Sequence, residues 1–215
     1  MSLVVRTLSE QIFDILKEKI VGGQLDGKQP IRQDALAADL GVSKIPLREA
    51  LARLEQEGLL YSQANRGFFV RPMTSAEAEE IYALRLAIEP AAVGMAAVAA
   101  NDEERDLAVE ALKALDEAAN HNLELVTARN REFHMALIRP CRRELTVQLI
   151  GRLQTQAERY TYKHLEPAGR GDRAHLEHTV MLKAWLSRNA QRAEELASAH
   201  ITGTLEDLRR QFEAN

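Results

Sequence analysis

Three short helical patterns occupy the first part of the chain. Apolar residues recur three or four positions apart over residues 8–21, which is the spacing of one buried helix face. The same spacing predicts a helix over residues 32–40 and another over residues 43–57, with a tight turn at Gly41 between them. Ser43 suits the N-cap of the third helix, because its side-chain oxygen can accept a hydrogen bond from the first turn. These patterns predict a three-helix unit.

The hydrophobic period shortens after Gly58. Residues 59–63 and 67–71 are β-like runs, and the residues that join them have the composition of a hairpin turn. Pro72 closes the unit. Three helices followed by a small hairpin predict a winged helix-turn-helix domain over residues 1–72.

The remainder of the chain has helical periodicity only. No internal repeat is evident, so a helical solenoid is not expected. Met95, Met135 and Trp185 are expected to pack in a core. The sequence therefore predicts a mainly α protein whose second domain, residues 73–215, is an all-α bundle of six or seven helices. Its helices are predicted at residues 75–99, 102–120, 123–138, 142–165, 172–188 and 190–212.

Composition favours the same architecture. Aromatic residues make up 5% of the chain and charged residues 28%, a balance that favours helices over a β-sandwich or barrel. The single cysteine, Cys141, excludes an internal disulfide and a multi-cysteine zinc site. No uninterrupted apolar run reaches the roughly 18 residues of a membrane span, and the first residues lack a secretory pattern. We expect a cytoplasmic protein without a membrane partner.

Net charge does not by itself indicate a nucleic-acid partner. The whole chain carries a formal charge of -4. Residues 1–72 contain 10 basic and 9 acidic residues, a net of +1, whereas residues 73–215 contain 18 and 23, a net of -5. Any nucleic acid must therefore bind a local basic patch, and the first domain has the appropriate sign.

Residues 41–51 carry a specific motif. Their sequence, Gly-Val-Ser-Lys-Ile-Pro-Leu-Arg-Glu-Ala-Leu, closely resembles the recognition-helix motif of the GntR family of bacterial transcription regulators. The resemblance extends forward through residues 57–60 to the wing turn at Arg66 and Gly67, and backward to residues 23–25. It implies a homodimer that binds a pseudo-palindromic operator in double-stranded DNA.

The geometry of a recognition helix also predicts DNA contacts in this segment of the chain. A recognition helix enters the major groove by its N-terminal end, so the side chains from Ser43 to Arg48 are placed to contact bases and phosphates. Arg48 is the first candidate for base recognition, because a guanidinium binds guanine O6 and N7 together. Asp34 stands where some family members carry arginine, and neighbouring Arg32 is the alternative for that contact. The predicted DNA-contacting residues are Arg32, Ser43, Lys44, Arg48, Arg66 and Gly67.

Four segments of the second domain resemble the FCD domain, the ligand-binding domain of the FadR subfamily of GntR regulators. Residues 81–89 resemble its first helix, and residues 130–134 resemble its Asp-x-x-Phe-His segment. Residues 177–178 and 199–201 resemble its two later histidine segments. In metal-binding members these positions supply one Asp and three His ligands to a divalent metal, usually zinc. The resemblance implies metal ligands at Asn130, His134, His178 and His200.

The first ligand position departs from the family pattern. Asn130 and His134 lie four residues apart, on one helix face, as the pattern requires. Three imidazoles without cysteine suit an open site for zinc, nickel or another borderline ion. Asn130 offers a neutral carbonyl oxygen in place of a carboxylate, so metal affinity is expected to be lower than in a relative with Asp.

A small carboxylate is the effector that such a site favours. A metal with an open position inside an apolar bundle, near a guanidinium, is a receptor for an organic acid. Arg85 is the leading candidate to pair with that acid, and the alternative for Arg85 is an ion pair with Glu89 one turn later. Tyr82, Arg152 and Tyr160 are further candidates, because their helices are expected to face the pocket. The remaining histidines, His121, His164 and His175, are expected at the surface or rim.

The two domains together predict a metabolite-responsive transcription regulator, either a repressor or an activator, and not an enzyme. One alternative is a regulator of the same type with a metal-free pocket and another effector class, which Asn130 favours. A metal-dependent hydrolase, with Glu177 or Glu132 as general base, is the other alternative. The sequence contains no Gly-rich phosphate loop, HExxH or GxSxG motif, and nothing positions a nucleophile or an oxyanion hole.

Overall fold

The computed structural model describes residues 6–25, 27, 29–121, 123–164 and 170–214. The packing of the chain separates two compact units, Met1–Met73 and Thr74–Asn215. The first unit contains α1 (Leu8–Val21), α2 (Gln33–Leu40), α3 (Lys44–Gln56), β1 (Leu60–Gln63) and β2 (Gly67–Val70).

The first unit is the predicted winged helix-turn-helix. A capping box begins α1, because the Thr7 hydroxyl accepts from the Glu10 amide while the Glu10 carboxylate accepts from the Thr7 amide. Strands β1 and β2 are antiparallel, with Leu60 opposite Val70. The core of the unit is mainly aliphatic, and its fully buried members include Leu16, Leu47, Leu51, Leu54, Leu59 and Leu60.

The turn between α2 and α3 requires a glycine. Gly41 has a φ of 64°, a left-handed conformation that costs an L-residue about 1 to 2 kcal/mol. The Val42 amide beyond it donates to the Ala37 carbonyl and closes the end of α2. The direction of α3 relative to α2 therefore depends on this residue.

Two glycine-to-alanine substitutions are expected to change stability in opposite directions. Gly41→Ala lowers the free energy of unfolding by about 1 to 2 kcal/mol, because it places a Cβ at positive φ. Gly203→Ala raises it by about 0.8 to 1 kcal/mol, because this residue lies within a helix and a new Cβ would meet no atom within 4 Å. Urea denaturation of both variants measures the difference. Equal signs for the two substitutions would contradict this account.

The second unit is a bundle built on a central helix. Its α-helices are α4 (Ser75–Ala99), α5 (Asp102–His121), α6 (Leu123–Ile138), α7 (Glu144–His164), α8 (Arg170–Leu186) and α9 (Ala190–Ala214). A short 3-10 turn, Arg139–Cys141, separates α6 from α7. The first helix, α4, packs against all of α6, α7, α8 and α9. This arrangement confirms the predicted fold class.

Helix α4 has the composition of a buried core helix. By length and apolarity it alone, in the described part of the chain, meets the criteria for a membrane span, although 56% of its most apolar window is buried in the bundle. Thr74 caps its N-terminus by accepting from the Glu77 amide. It also carries the buried charged residues Arg85 and Glu89, whose environment is described below.

Two sequence expectations for the second unit need correction. Met95 is 41% exposed, so it does not fill the core, whereas Met135 and Trp185 are buried as expected and the Trp185 indole donates to the Leu137 carbonyl at 3.1 Å. Helix α7 begins at residue 144 and not at 142, because Arg142 adopts a left-handed φ of 59° after the 3-10 turn.

Candidate DNA-contacting surface and histidine cluster

The N-terminal turn of α3 presents polar side chains to solvent. Ser43, Lys44 and Arg48 are exposed, whereas Leu47 and Leu51 of the same helix are fully buried. Ser43 occupies the N-cap position, but its side chain makes no capping hydrogen bond, contrary to the sequence expectation. Its hydroxyl therefore belongs to the exposed end of the helix, where a phosphate would approach.

An ion pair joins the starts of α2 and α3. Lys44 Nζ lies 2.6 Å from Asp34 Oδ1, and both side chains are more than half exposed. Arg32, the residue before α2, is also exposed. Asp34 thus places a carboxylate beside a lysine that we predict to contact DNA, where it would compete with phosphate for the ammonium group.

The wing turn places an arginine at its tip. Arg66 is exposed, and its guanidinium lies 5.6 Å from the centroid of the Phe69 ring. Gly67 has a φ of 90°, and nothing lies within 4 Å of where a Cβ would stand. A glycine here leaves the backbone accessible beside a basic side chain, as contact with a phosphate or minor groove requires.

Three histidines from three helices meet inside the second unit. His134 on α6, His178 on α8 and His200 on α9 each offer one ring nitrogen, and these atoms lie within 4.8 Å of one another. His134 and His178 are buried, and the His200 side chain is 10% exposed. The Nε2 atoms of His178 and His200 are 3.4 Å apart. The structure thus brings together the three predicted histidine ligands.

His134 is suited to remain neutral and to offer a lone pair. Its Nε2 is buried and has no hydrogen-bond partner among the described residues. Burial is the largest cause that lowers the pKa of His134 well below its ordinary value, followed by His200, His178 and Arg85. A neutral imidazole is the form that binds metal.

The donor set fits a divalent ion of borderline softness. Three imidazoles that converge from separate helices, one with an orphaned nitrogen, match the ligand type of zinc and nickel sites. Asn130 lies one turn before His134 on α6 and is half-buried. A site of three imidazoles with a weak or absent fourth protein ligand leaves a position for an exchangeable group.

Arg85 forms the buried ion pair that the sequence left as an alternative. Its Nε and Nη2 donate to the two carboxylate oxygens of Glu89 at 2.6 and 3.2 Å. Gln154 on α7 donates to Glu89 Oε2 at 3.1 Å. The Arg85 guanidinium also lies 4.9 Å from the Tyr82 ring centroid. Burial is the largest single influence on the pKa of Arg85 and lowers it, but the charge interactions and hydrogen bonds with Glu89 and Tyr82 together outweigh burial and raise that pKa.

The other predicted effector contacts occupy different environments. Tyr82 is fully buried beside Arg85. Tyr160 is buried, but its hydroxyl donates to Glu77 Oε2 at 2.5 Å and accepts from the Thr74 amide at 3.3 Å, so it holds the start of α4. Burial and Glu77 raise the pKa of Tyr160 above its ordinary value. Arg152 is exposed on α7.

Sequence reasoning missed Gln154 as a partner of the buried ion pair. The apolar spacing of α7 could have revealed it, because Ile150, Leu153 and Ala157 define one helix face and Gln154 lies on that face. All four residues are buried. His175 is about half exposed and lies 2.6 Å from Asp116, in agreement with a surface position. The side chains of His121 and His164 lie outside the described residues.

A winged helix-turn-helix unit followed by an all-helical unit is the architecture of a DNA-binding transcription regulator. The family comparisons agree. The profile of the bacterial regulatory proteins of the gntR family matches residues 8–70, and that of the FCD domain matches residues 80–203. The chain belongs to the GntR family and carries an FCD domain. It is a DNA-binding transcription regulator and not an enzyme.

Known relatives share most of the chain. BphR of Paraburkholderia xenovorans, an uncharacterized HTH-type transcriptional regulator, is 32% identical over 95% of this chain and 86% of its own. The Nta operon transcriptional regulator of Aminobacter aminovorans is 30% identical over 82% of this chain and 73% of its own length. The solved structure of McbR/YncC of Escherichia coli superposes with a TM-score of 0.82 at 22% identity, covering 97% of this chain and 100% of that one. A putative GntR regulator from a Rhodococcus species has a TM-score of 0.77 at 23% identity, covering 93% and 96%. The two structures establish a shared fold.

Acidification is expected to destabilise the metal-free protein through His134. In the unfolded chain this histidine takes up a proton near its ordinary pKa of 6.5, whereas in the folded chain its pKa is lower. The unfolded state therefore binds more protons below pH 6.5, and this one group removes about 1.4 kcal/mol of stability per pH unit. The contribution of the neutral His134 to the unfolding free energy is therefore complete above pH 6.5 and is lost as the pH falls toward the pKa of the folded state.

Urea denaturation between pH 7.5 and 5, with a chelator present, measures this slope. His134→Phe keeps an aromatic ring in the buried position but cannot take up a proton. Its unfolding free energy is expected to fall less steeply with pH than that of the wild type. Equal slopes for the two proteins would contradict the assignment to His134.

Proposed function

We propose that this regulator binds an operator as a homodimer and that a small organic acid, bound at or near a divalent metal in the FCD domain, changes its operator affinity. The convergence of His134, His178 and His200, with the orphaned Nε2 of His134, carries the proposal. When bound, the metal would act as a Lewis acid that accepts a carboxylate oxygen in its open position. Asn130 is the proposed fourth protein ligand.

The environment of Arg85 defines how an acid would bind. This guanidinium contributes to lowering the pKa of His134, so its positive charge acts on the cluster. Its hydrogen bonds to Glu89 mean that an incoming carboxylate shares Arg85 with an existing partner. We therefore propose that the metal is the primary anchor of the acid and that Arg85 supplies charge, with Tyr82 beside it. Tyr160 and Arg152 take no part in this proposal, since the first holds Glu77 and the second is exposed.

Regulation requires the effector to favour one DNA-binding state. A coupling free energy of about 1 to 3 kcal/mol would change operator affinity roughly 5- to 150-fold. One relative, GlaR of Escherichia coli, 29% identical over 86% of this chain and 89% of its own, is named a transcriptional repressor. We propose that this protein is likewise a transcriptional repressor and that it acts in the cytoplasm.

Metal content is the first test of the proposed site. Elemental mass spectrometry of the purified, untagged chain is expected to find about one zinc, nickel or similar ion per chain, and His134→Ala should lose it. Asn130→Asp should raise the affinity for zinc, because it restores a charged ligand. An untagged wild-type protein that holds no metal and takes up none from micromolar solutions would exclude the metal-centred proposal and favour a metal-free pocket.

The DNA contacts have a separate test. Operator duplexes selected from a random pool with the wild-type protein provide the probe. Arg48→Ala is expected to weaken binding about 5- to 150-fold, which corresponds to about 1 to 3 kcal/mol, and to relax the preference for one base. Asp34→Asn removes the carboxylate that competes with phosphate for Lys44, so it should tighten binding and increase the dependence of affinity on salt.

Fluorescence anisotropy at several salt concentrations measures both variants. Glu110→Ala, an exposed site in the second unit, serves as the control and should bind the operator like the wild type. If Arg48→Ala binds every selected sequence as tightly as the wild type, the assignment of Arg48 as a base-reading residue is wrong.

A further inference from the structure

Glu177 contacts one ring of the histidine cluster from outside. Its Oε2 lies 2.7 Å from His200 Nδ1, whereas the other nitrogen of that ring, Nε2, lies 3.4 Å from His178 Nε2. The two nitrogens of the His200 imidazole therefore face different partners. One faces a carboxylate, and the other faces the cluster.

This arrangement determines which nitrogen of His200 carries the proton. An ionised carboxylate only accepts hydrogen bonds, so Nδ1 of His200 donates, and in the neutral ring Nε2 then presents a lone pair. We propose that Glu177 is a positioning residue that fixes the tautomer and the ring orientation of His200, so that Nε2 is directed to a divalent metal. Carboxylate–histidine–metal arrangements act in this way in metalloproteins. The inference rests on the proposed metal site.

The Glu177 carboxylate is itself held at two points. Oε2 faces His200, and Oε1 lies 3.4 Å from Arg173 Nε, one turn earlier on α8. Arg173 also pairs with Asp207 on α9, and Asp207 pairs with Arg210. A chain of alternating charges thus connects the surface of α8 and α9 to the His200 ring. Anchoring of both oxygens restricts rotation of the carboxylate, as a positioning role requires.

A purely structural ion pair between α8 and α9 would have different consequences. It would contribute to stability, but it would not affect the affinity for metal or the tautomer of His200. Metal affinity and tautomer are therefore the two readouts, and both use the full-length chain.

Zinc affinity is the first readout, measured by competition with a chromophoric chelator. Glu177→Ala is expected to weaken zinc binding about 10- to 100-fold. Glu177→Gln keeps an oxygen that accepts from Nδ1 and should recover most of this loss. Glu132→Gln is the matched control, because Glu132 is an exposed carboxylate two residues from His134 that pairs with Arg129, and it should change zinc affinity less than threefold. If Glu177→Ala binds zinc like the control, the inference is overturned.

The tautomer of His200 is the second readout, measured on the metal-free protein by nitrogen-15 NMR of the imidazoles. The wild type is expected to carry the proton on Nδ1, and Glu177→Ala should shift it toward Nε2. An unchanged tautomer in a folded variant would overturn the positioning role. If Glu177→Ala does not fold, Glu177→Gln supplies the comparison. A wild type that binds no zinc would refute the proposed metal site, while the tautomer measurement would still decide whether Glu177 orients His200.

A second inference concerns base recognition by α3, and its observation is independent of the cluster. Ile45 is 72% exposed in the first turn of α3, although the aliphatic residues Leu47 and Leu51 of the same helix are fully buried. Apolar side chains of recognition helices can read thymine through its C5-methyl group. We infer that Ile45 selects thymine at one position in each half-site of the operator, an inference that rests on the proposed role of α3 in DNA binding.

Deoxyuridine provides the test, because it differs from thymidine only by that methyl group. In the operator selected by the wild type, each thymine is replaced in turn. One position per half-site should weaken wild-type binding about fourfold, the equivalent of one buried methyl group, and Ile45→Ala should be insensitive to the same replacement. Ile15→Ala, at a 40% exposed site on α1, is the control and should behave like the wild type. Equal sensitivity of wild type and Ile45→Ala at every position would overturn the inference.

Discussion

Glu89→Ala is expected to lower the free energy of unfolding by about 3 to 5 kcal/mol. Arg85 is 7% exposed and Glu89 is 2% exposed, so removal of the carboxylate leaves a buried guanidinium without its charge partner. Gln154 loses its acceptor at the same time. Urea denaturation followed by circular dichroism measures the change at pH 7.5.

A double substitution shows how much of the stability lost in Glu89→Ala is due to the unpaired buried charge and how much is due to lost packing around α4. Arg85→Met combined with Glu89→Leu removes both charges and keeps apolar volume, so it should recover most of the stability that Glu89→Ala loses. Glu110→Ala is the matched control, because it removes an exposed pair with Lys113 and should change stability by no more than about 0.5 kcal/mol. If Glu89→Ala is as mild as this control, the buried ion pair does not exist as described.

Zinc is expected to stabilise the second unit strongly, and His178→Ala should abolish the effect. The three imidazoles come from α6, α8 and α9 and meet only in the folded chain. A ligand that binds only the folded state at about 1,000 times its Kd adds about 4 kcal/mol to the unfolding free energy. Urea denaturation at pH 7.5 with zinc and with chelator measures this increment.

His175→Ala is the control for this experiment. His175 is a surface histidine on α8, paired with Asp116, and it lies three residues from His178. Its variant should retain the full increment from zinc, whereas His178→Ala should lose it. Retention of the increment in His178→Ala would place the zinc elsewhere in the chain.

Local patterns in the chain predict the first unit almost completely. Residues 8–21 were predicted as a helix from apolar spacing, and α1 has these bounds. The positive φ of Gly41 and the recognition-helix motif are likewise encoded within a few adjacent residues. Helix periodicity and turn chemistry depend on short-range geometry, which one sequence contains.

Burial in the second unit was less predictable. Met95 has the same apolar character as Met135, yet one is exposed and the other is buried. Arg152 and Gln154 are both polar residues of α7, and only Gln154 is buried. Helix α4 is apolar around much of its circumference, so its pattern does not specify which side faces each neighbour.

The sequence alone predicted the Arg85–Glu89 ion pair as an alternative, because the two residues lie four positions apart on a helix. The family resemblance selected His134, His178 and His200 from the six histidines. Three contacts depended on tertiary packing. They are the contact of the buried ion pair with Gln154, the convergence of the three imidazoles, and the hydrogen bond between Glu177 and His200. Each joins residues on different helices. Side-chain periodicity determines the face of a helix on which a residue lies, but only the packing of helices against one another determines which faces meet.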